Sequence, residues 1–115
     1  RLFSPLFFRM ITRLWRGWPT ADNAKTYEQL LLTTIFPGIV ARNIAGFRSI
    51  SLDRRDVPEG VEFMTTMSFS SMDAVKEFAG RDYAHSVVPP AAQAVLSHYD
   101  AAAMHSELVT KIVTP

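Results

Sequence analysis

The chain has 115 residues, of which 48% are apolar and 20% charged, the composition of one ordinary globular domain. Twelve Lys and Arg against eleven Asp and Glu leave a formal charge of +1, too little for a nucleic-acid or anionic-membrane footprint. Cysteine is absent, which excludes disulfide scaffolds, thiol catalysis, Fe–S ligation and Cys-zinc sites, and fits a reducing, cytoplasmic setting.

Residues 1–9 carry three Phe, two Leu and a Pro and stop just before Met10. They lack the longer apolar core and small-residue cleavage site of a signal peptide. They read as an upstream extension or an apolar arm for a partner subunit. Residues 10–115 read as a single domain, with no internal repeat and no linker.

Residues 10–18 are rich in β-formers and predict the first strand, ended by Gly17, Trp18 and Pro19. Thr20, Asp22 and Asn23 offer cap oxygens to a helix whose buried face is Tyr27, Leu30, Leu31, Thr34 and Ile35. Pro37 has no N–H for the helical ladder, so this helix is expected to end or kink at Phe36, with one further turn over residues 39–42. Residues 47–53 alternate and predict a second strand. The charged stretch 53–60, with Pro58 and Gly60, predicts a hairpin loop with Arg54 and Arg55 at a solvated tip. Residues 61–69 predict a third strand, apolar on both faces.

Ser70 or Ser71 caps a second helix whose buried stripe is Met72, Val75, Phe78 and Ala79, and Gly80 stops it. Pro90 opens a short helix over 91–96. Residues 97–109 predict a last strand, with weak β-formers at 101–103. The order β-α-β-β-α-(α)-β is the ferredoxin-like split βαβ motif, an α+β fold with an antiparallel sheet in the order 4-1-3-2 and both main helices on one face. Strands apolar front and back then need cover on the other face, and the simplest cover is a second copy, sheet against sheet.

Ile11-Thr-Arg-Leu-Trp-Arg-Gly17, Phe36-Pro-Gly-Ile39, Ala45-Gly-Phe-Arg48, Val61-Glu-Phe63 and the run from Phe69 to Phe78 together resemble the antibiotic biosynthesis monooxygenase-like members of the dimeric α+β barrel superfamily. The resemblance spans roughly residues 10 to 109. It implies a homodimer and an oxygenase working on a small aromatic or polyketide-like substrate with no metal, flavin or other cofactor. It equally allows a non-catalytic small-molecule-binding or stress-related dimer, or a heme-binding or heme-degrading oxygenase. Catalytic relatives often open the second helix with Trp-x-Ser. Here Phe69 stands in the Trp position, followed by Ser70 and Ser71. The heme-degrading branch needs a first-strand Asn, which is absent, and a His late in the second helix, which His85 matches only loosely.

His85, His98 and His105 show no metal-ligand spacing. Arg13 and Trp15 share one face of the first strand, and the last strand, carrying His105 and Glu107, should lie beside it. If the faces coincide, His105 could serve as a base, Arg13 could hold a phenolate or reduced oxygen, and Trp15 could stack on an aromatic substrate. The plainer alternative leaves His105 in solvent, Trp15 in the core and Arg13 paired with a carboxylate. Tyr83 and His85 follow the second helix in a loop and could form the mouth of the pocket, with Phe69 a further wall. His98 reads as a cation at a helix C-terminus. Met64, Met67 and Met72 read as core. No Gly-rich phosphate loop and no Gly-x-Ser-x-Gly elbow is present.

Overall fold

The computed structural model describes residues 9–115, and residues 1–8 of the expected arm lie outside it. Arg9, the arm's last residue, pairs with Glu107 at 3.2 Å.

Strand β1 (Ile11–Pro19) is central. It pairs antiparallel with β3 (Gly60–Phe69) on one side and with β4 (Leu96–Tyr99) and β5 (Met104–Glu107) on the other. Strand β2 (Phe47–Val57) pairs with the outer edge of β3. The resulting order β2-β3-β1-β4 is the expected ferredoxin-like sheet read from its opposite edge, with β5 a second partner of β1. Alternation sorts the side chains. Ile11, Arg13 and Trp15 of β1 and Phe63, Met67 and Phe69 of β3 face the helices, while Thr12, Leu14, Met64 and Thr66 face away.

Several expected boundaries move, and the three largest shifts have physical causes in the contacts of the fold. The charged segment 53–56 is strand, not loop, and β2 reaches Val57 opposite Gly60. Cross-strand charge pairing holds it there. Arg55 donates to Glu62 at 2.8 and 3.3 Å, and Arg54 reaches Glu28 at 2.7 Å. The arginines are therefore engaged, not a free solvated tip.

The helix does not stop at Phe36. A short 3₁₀ turn (Ala21–Asn23) leads into α1 (Ala24–Leu30), a wider π turn over Leu31–Ile35, and then α2 (Phe36–Ala41). The Phe36 N–H returns to the Leu31 carbonyl, five residues back. This extra residue in the turn falls just before Pro37, which lacks the N–H that an α-helix would aim at the Thr33 carbonyl. The local widening carries the helix past the proline. At its start no side chain caps the backbone, and Asn23 donates instead to the Thr20 hydroxyl at 2.7 Å.

The last strand is broken in two. Asp100 turns toward β1, where its carboxylate accepts from the Arg16 backbone N–H (3.2 Å), Nε (2.9 Å) and Nη2 (3.2 Å). Residues 101–103 then pair with the loop after the second helix instead of with β1: Ser86 N–H donates to the Ala101 carbonyl (3.1 Å) and Ala103 N–H to the Ala84 carbonyl (2.8 Å). The weak β-formers thus anchor that loop. His98 sits on β4, not at a helix end, and stacks on Trp18 with centroids 4.5 Å apart.

Helix α3 (Met72–Ala79) begins as expected, with the Ser71 hydroxyl accepting from the Ala74 N–H at 3.1 Å. Gly80 ends it at φ +92, a conformation glycine adopts without penalty. Helix α4 (Pro90–Gln93) is shorter than the span expected. The helix-facing side of the sheet carries two apolar clusters. One gathers Ile11, Ile44, Met67, Phe69, Val75 and Phe78. The other gathers Tyr27, Leu31, Phe63, Ala92 and Leu96. Met67 is buried and Met72 packs against the first cluster, whereas Met64 lies on the outer face.

Candidate functional site

Between the two clusters the sheet and helices leave an apolar cleft. Its walls include Arg13, Trp15, Tyr27, Phe36, Met67 and Phe78, and residues 87–89 of the loop border it. The space in the cleft, counting its open mouth, is about 540 Å³. The π turn matters here, because it sets Leu31, Ile35 and Phe36 along one wall. Such widened turns recur at functional sites.

Arg13 is the charged group of this lining. Its side chain is only 3% exposed. Alternation on β1 forces it inward between Ile11 and Trp15. Nη1 donates to the Tyr83 carbonyl (2.6 Å) and to Nε2 of His105 (2.9 Å), and Nη2 donates to the His85 carbonyl (3.1 Å). The guanidinium also lies over the Phe78 ring, 5.4 Å from its centroid. No carboxylate among the described residues makes an ion pair with it. Burial lowers its pKa, yet a guanidinium stays charged at any physiological pH. A guanidinium has five N–H donors, so Nε–H and one Nη2 hydrogen are left without a partner among the described residues.

His105 faces Arg13 directly across the β1–β5 ladder. Arginine has no acceptor, so the His105 Nε2 must present its lone pair and the ring proton sits on Nδ1. Burial, and then the Arg13 charge, lower the His105 pKa below its ordinary value and hold the ring neutral. The Tyr83 ring meets it edge-on, with centroids 5.3 Å apart. His105 is not part of the cleft lining and contacts it through Arg13.

The other residues singled out in the sequence separate. Trp15 lines the cleft, and its Nε1 donates to the Asp100 carbonyl at 2.7 Å. Tyr83 joins the cluster through its carbonyl and ring. His85 contributes its carbonyl only. Its side chain is 73% exposed and pairs with Asp82 at 2.7 Å. Phe69 is wholly buried in the first cluster, between Phe47 and Phe78, and does not border the cleft. Tyr27, which the sequence marked only as a core position, lines the cleft, and burial pushes its phenol up to about 12. Its place in the helical stripe gave no sign that it would border a cavity. Among the described residues no cluster of three or more His, Asp or Glu side chains is arranged to hold a metal.

A second charged group lies on the opposite face of the sheet. Glu62 is covered by the Arg55 and Arg16 side chains and not by a deep core. The Arg55 hydrogen bond leads the causes that hold its carboxyl below the usual range.

No family model and no curated protein matches the chain. Among solved structures it is similar to a Caulobacter crescentus protein described as an antibiotic biosynthesis monooxygenase, 23% identical with a TM-score of 0.60 over 92% of this chain and 93% of that one. A Bacillus cereus structure described in the same way is 13% identical, with a TM-score of 0.55 over 93% of this chain and 99% of that one. A Streptomyces coelicolor monooxygenase in complex with nanaomycin D is 15% identical, with a TM-score of 0.52 over 97% of this chain and 96% of that one. Likeness at these identities speaks to architecture: the chain has the ferredoxin-like α+β fold of the antibiotic biosynthesis monooxygenase-like structures.

Proposed function

We propose that the chain is a small oxygenase that converts an electron-rich hydroxyarene, small or polyketide-like, within the sheet–helix cleft. The observation that carries this reading is Arg13, a buried cation in the wall of a mainly apolar cavity whose other walls combine aliphatic side chains with the rings of Trp15, Tyr27, Phe36 and Phe78 and the thioether of Met67. Flat aromatic ligands suit such walls, through stacking on Trp15 and Phe36 and soft contact with Met67. A phenolate would gain most from Arg13, because charge interactions strengthen where water is excluded. Electron transfer from that phenolate to O₂ would start the chemistry. In the overall reaction the hydroxyarene loses its hydroxyl proton and one ring hydrogen and gains one oxygen as a new carbonyl. The second oxygen atom leaves as water, so O₂ is the whole oxidant. Arg13 would hold the anion, while His105 would act by keeping Arg13 in place. Tyr83 and His85 support the same cluster from the loop.

The testing experiment is O₂ uptake with a panel of hydroxyarenes that includes both compounds ionised and compounds neutral at the assay pH, with the product mass read after reaction under ¹⁸O₂. One labelled oxygen per product is the expected result, and no uptake above the buffer rate with any of them defeats the proposal. One observation favours a binding-only protein instead: His105, the imidazole bonded to Arg13, does not line the cleft, and its lone pair is occupied by Arg13. Saturable ligand binding with no O₂ uptake would select that reading.

We also propose that the outward sheet face takes a second copy of the chain. Leu14 and Met64 lie on that face, and Met104 is 67% exposed beside Leu14 in the β1–β5 register. Water-facing apolar side chains at the centre of a sheet gain from a matching sheet.

A further inference from the structure

The cleft combines a permanent cation with no group able to accept a proton at neutral pH. Among the described residues the titratable side chains lining it are Arg13 and Tyr27. Arg13 is already protonated, and Tyr27 keeps its phenolic proton. From β5, His105 turns its lone pair to Arg13, and from the loop Tyr83 and His85 offer Arg13 their carbonyls. Every acceptor around the guanidinium is neutral, so its charge is buried without a counter-ion among these residues. An unpaired buried charge is costly, and an anion arriving in the cleft would offset that cost. The Nε–H and one Nη2 hydrogen have no partner among the described residues, which leaves donors for the oxygen of an arriving anion.

We infer that the cleft selects ligands that arrive already ionised: acidic hydroxyarenes, hydroxyquinones or enolised 1,3-dicarbonyls, whose oxyanion docks on the unpartnered N–H donors of Arg13. Weakly acidic phenols of the same shape are excluded as substrates because nothing in the cleft deprotonates them. The inference rests on the cleft being the ligand site, as in the preceding proposal, and adds the chemical class and protonation state of what enters.

The test uses the whole chain at pH 7.5 and three probes of similar size. These are 2-hydroxy-1,4-naphthoquinone, which is ionised at that pH, its neutral 2-methoxy analogue, and 1-naphthol, a weak acid. Binding is read by calorimetry and ionisation by the absorption band of each probe. The hydroxyquinone should bind at least ~10-fold more tightly than the methoxy analogue, as a charge-assisted hydrogen bond implies. Arg13→Gln should bring that ratio close to one. Bound 1-naphthol should keep the spectrum of its neutral form. Equal affinities for the hydroxy and methoxy quinones, or a naphtholate band on binding, overturn the inference but leave the cleft as a ligand site. Absence of binding by all three probes overturns both this inference and the reading beneath it. Should Arg13→Gln fail to fold, the wild-type ratio and the naphthol spectrum still decide the matter.

Discussion

Nη1 of Arg13 and Nε2 of His105 lie 2.9 Å apart, and the antiparallel register of β1 and β5 makes the two residues direct cross-strand partners. The contact works only while the imidazole is neutral. Protonation would replace a hydrogen bond with two cations at bonding distance, inside a half-buried cluster.

That contact links the cluster to acid stability. Burial and Arg13 depress the His105 pKa in the folded chain, so the unfolded chain binds the proton more readily. The stabilisation is therefore complete above the unfolded value of about 6.5 and is lost as pH falls below it, toward the lower folded value. Thermal melts between pH 7.5 and 5.5 should show this loss. His105→Gln, whose amide oxygen can still accept from Arg13, should flatten that part of the profile. His105→Leu removes the acceptor altogether and should cost about 1.5–3 kcal/mol at pH 7.5. A His105→Gln profile as steep as that of the wild type would show that other groups cause the acid loss.

Which parts of this arrangement could be read in the sequence follows from what each depends on. Alternation is a property of the strand itself, so Arg13 and Trp15 on one face, and His105 on a neighbouring strand, follow from residue spacing. The cap at Ser71 and the stop at Gly80 are equally local. Other features depend on partners distant in sequence. Residues 53–56 look like a loop until Glu62 and Glu28 are placed beside Arg55 and Arg54. The break at Asp100 needs Arg16, and passage beyond Pro37 needs the packing that holds a π turn open. Phe69 matched a family position by order along the chain, yet α3 closes over it and turns it into core.

Phe69 should accordingly report on stability and not on ligand choice. It is in contact with Phe47 and Phe78 rings, with centroids 5.7 and 5.9 Å away, and is fully enclosed. Phe69→Ala should cost about 3–5 kcal/mol, a large share of the roughly 5–15 kcal/mol available to a domain. Phe69→Leu keeps much of the volume and should fold. In urea titrations its midpoint should fall, while its preference between hydroxy- and methoxy-naphthoquinone stays that of the wild type. A changed preference would place this side chain in the ligand site after all.

Two glycines make a matched pair with opposite expected signs. Gly46 holds φ +90, and a Cβ there would meet the Ser70 Oγ at 2.6 Å and the Ala74 Cβ at 2.9 Å. Gly38 lies in α2 with nothing within 4 Å of an added Cβ. Gly46→Ala should destabilise by more than about 1 kcal/mol, from backbone strain plus the clash at the start of α3. Gly38→Ala should stabilise by roughly 0.5–1 kcal/mol by improving helix propensity. Chemical denaturation measures both, and a Gly46→Ala chain as stable as the wild type would contradict the close approach of that turn to α3.

The outward face can be tested without disturbing the cleft, because alternation sends its side chains the other way. Leu14 and Met104 are cross-strand partners on that face, and Met104 stands largely in water in the single chain. A sheet-to-sheet dimer would cover both at its centre, where a charge has the fewest routes back to solvent. Met104→Glu should therefore weaken association by at least about 2 kcal/mol, roughly thirtyfold, while leaving the monomer folded, since the residue is exposed there already. Sedimentation velocity at micromolar concentration should give a dimer for the wild type and a monomer for the variant, with matching far-ultraviolet circular dichroism. A wild-type monomer under those conditions would defeat the dimer proposal, and an unaffected dimer in Met104→Glu would move the interface to another surface.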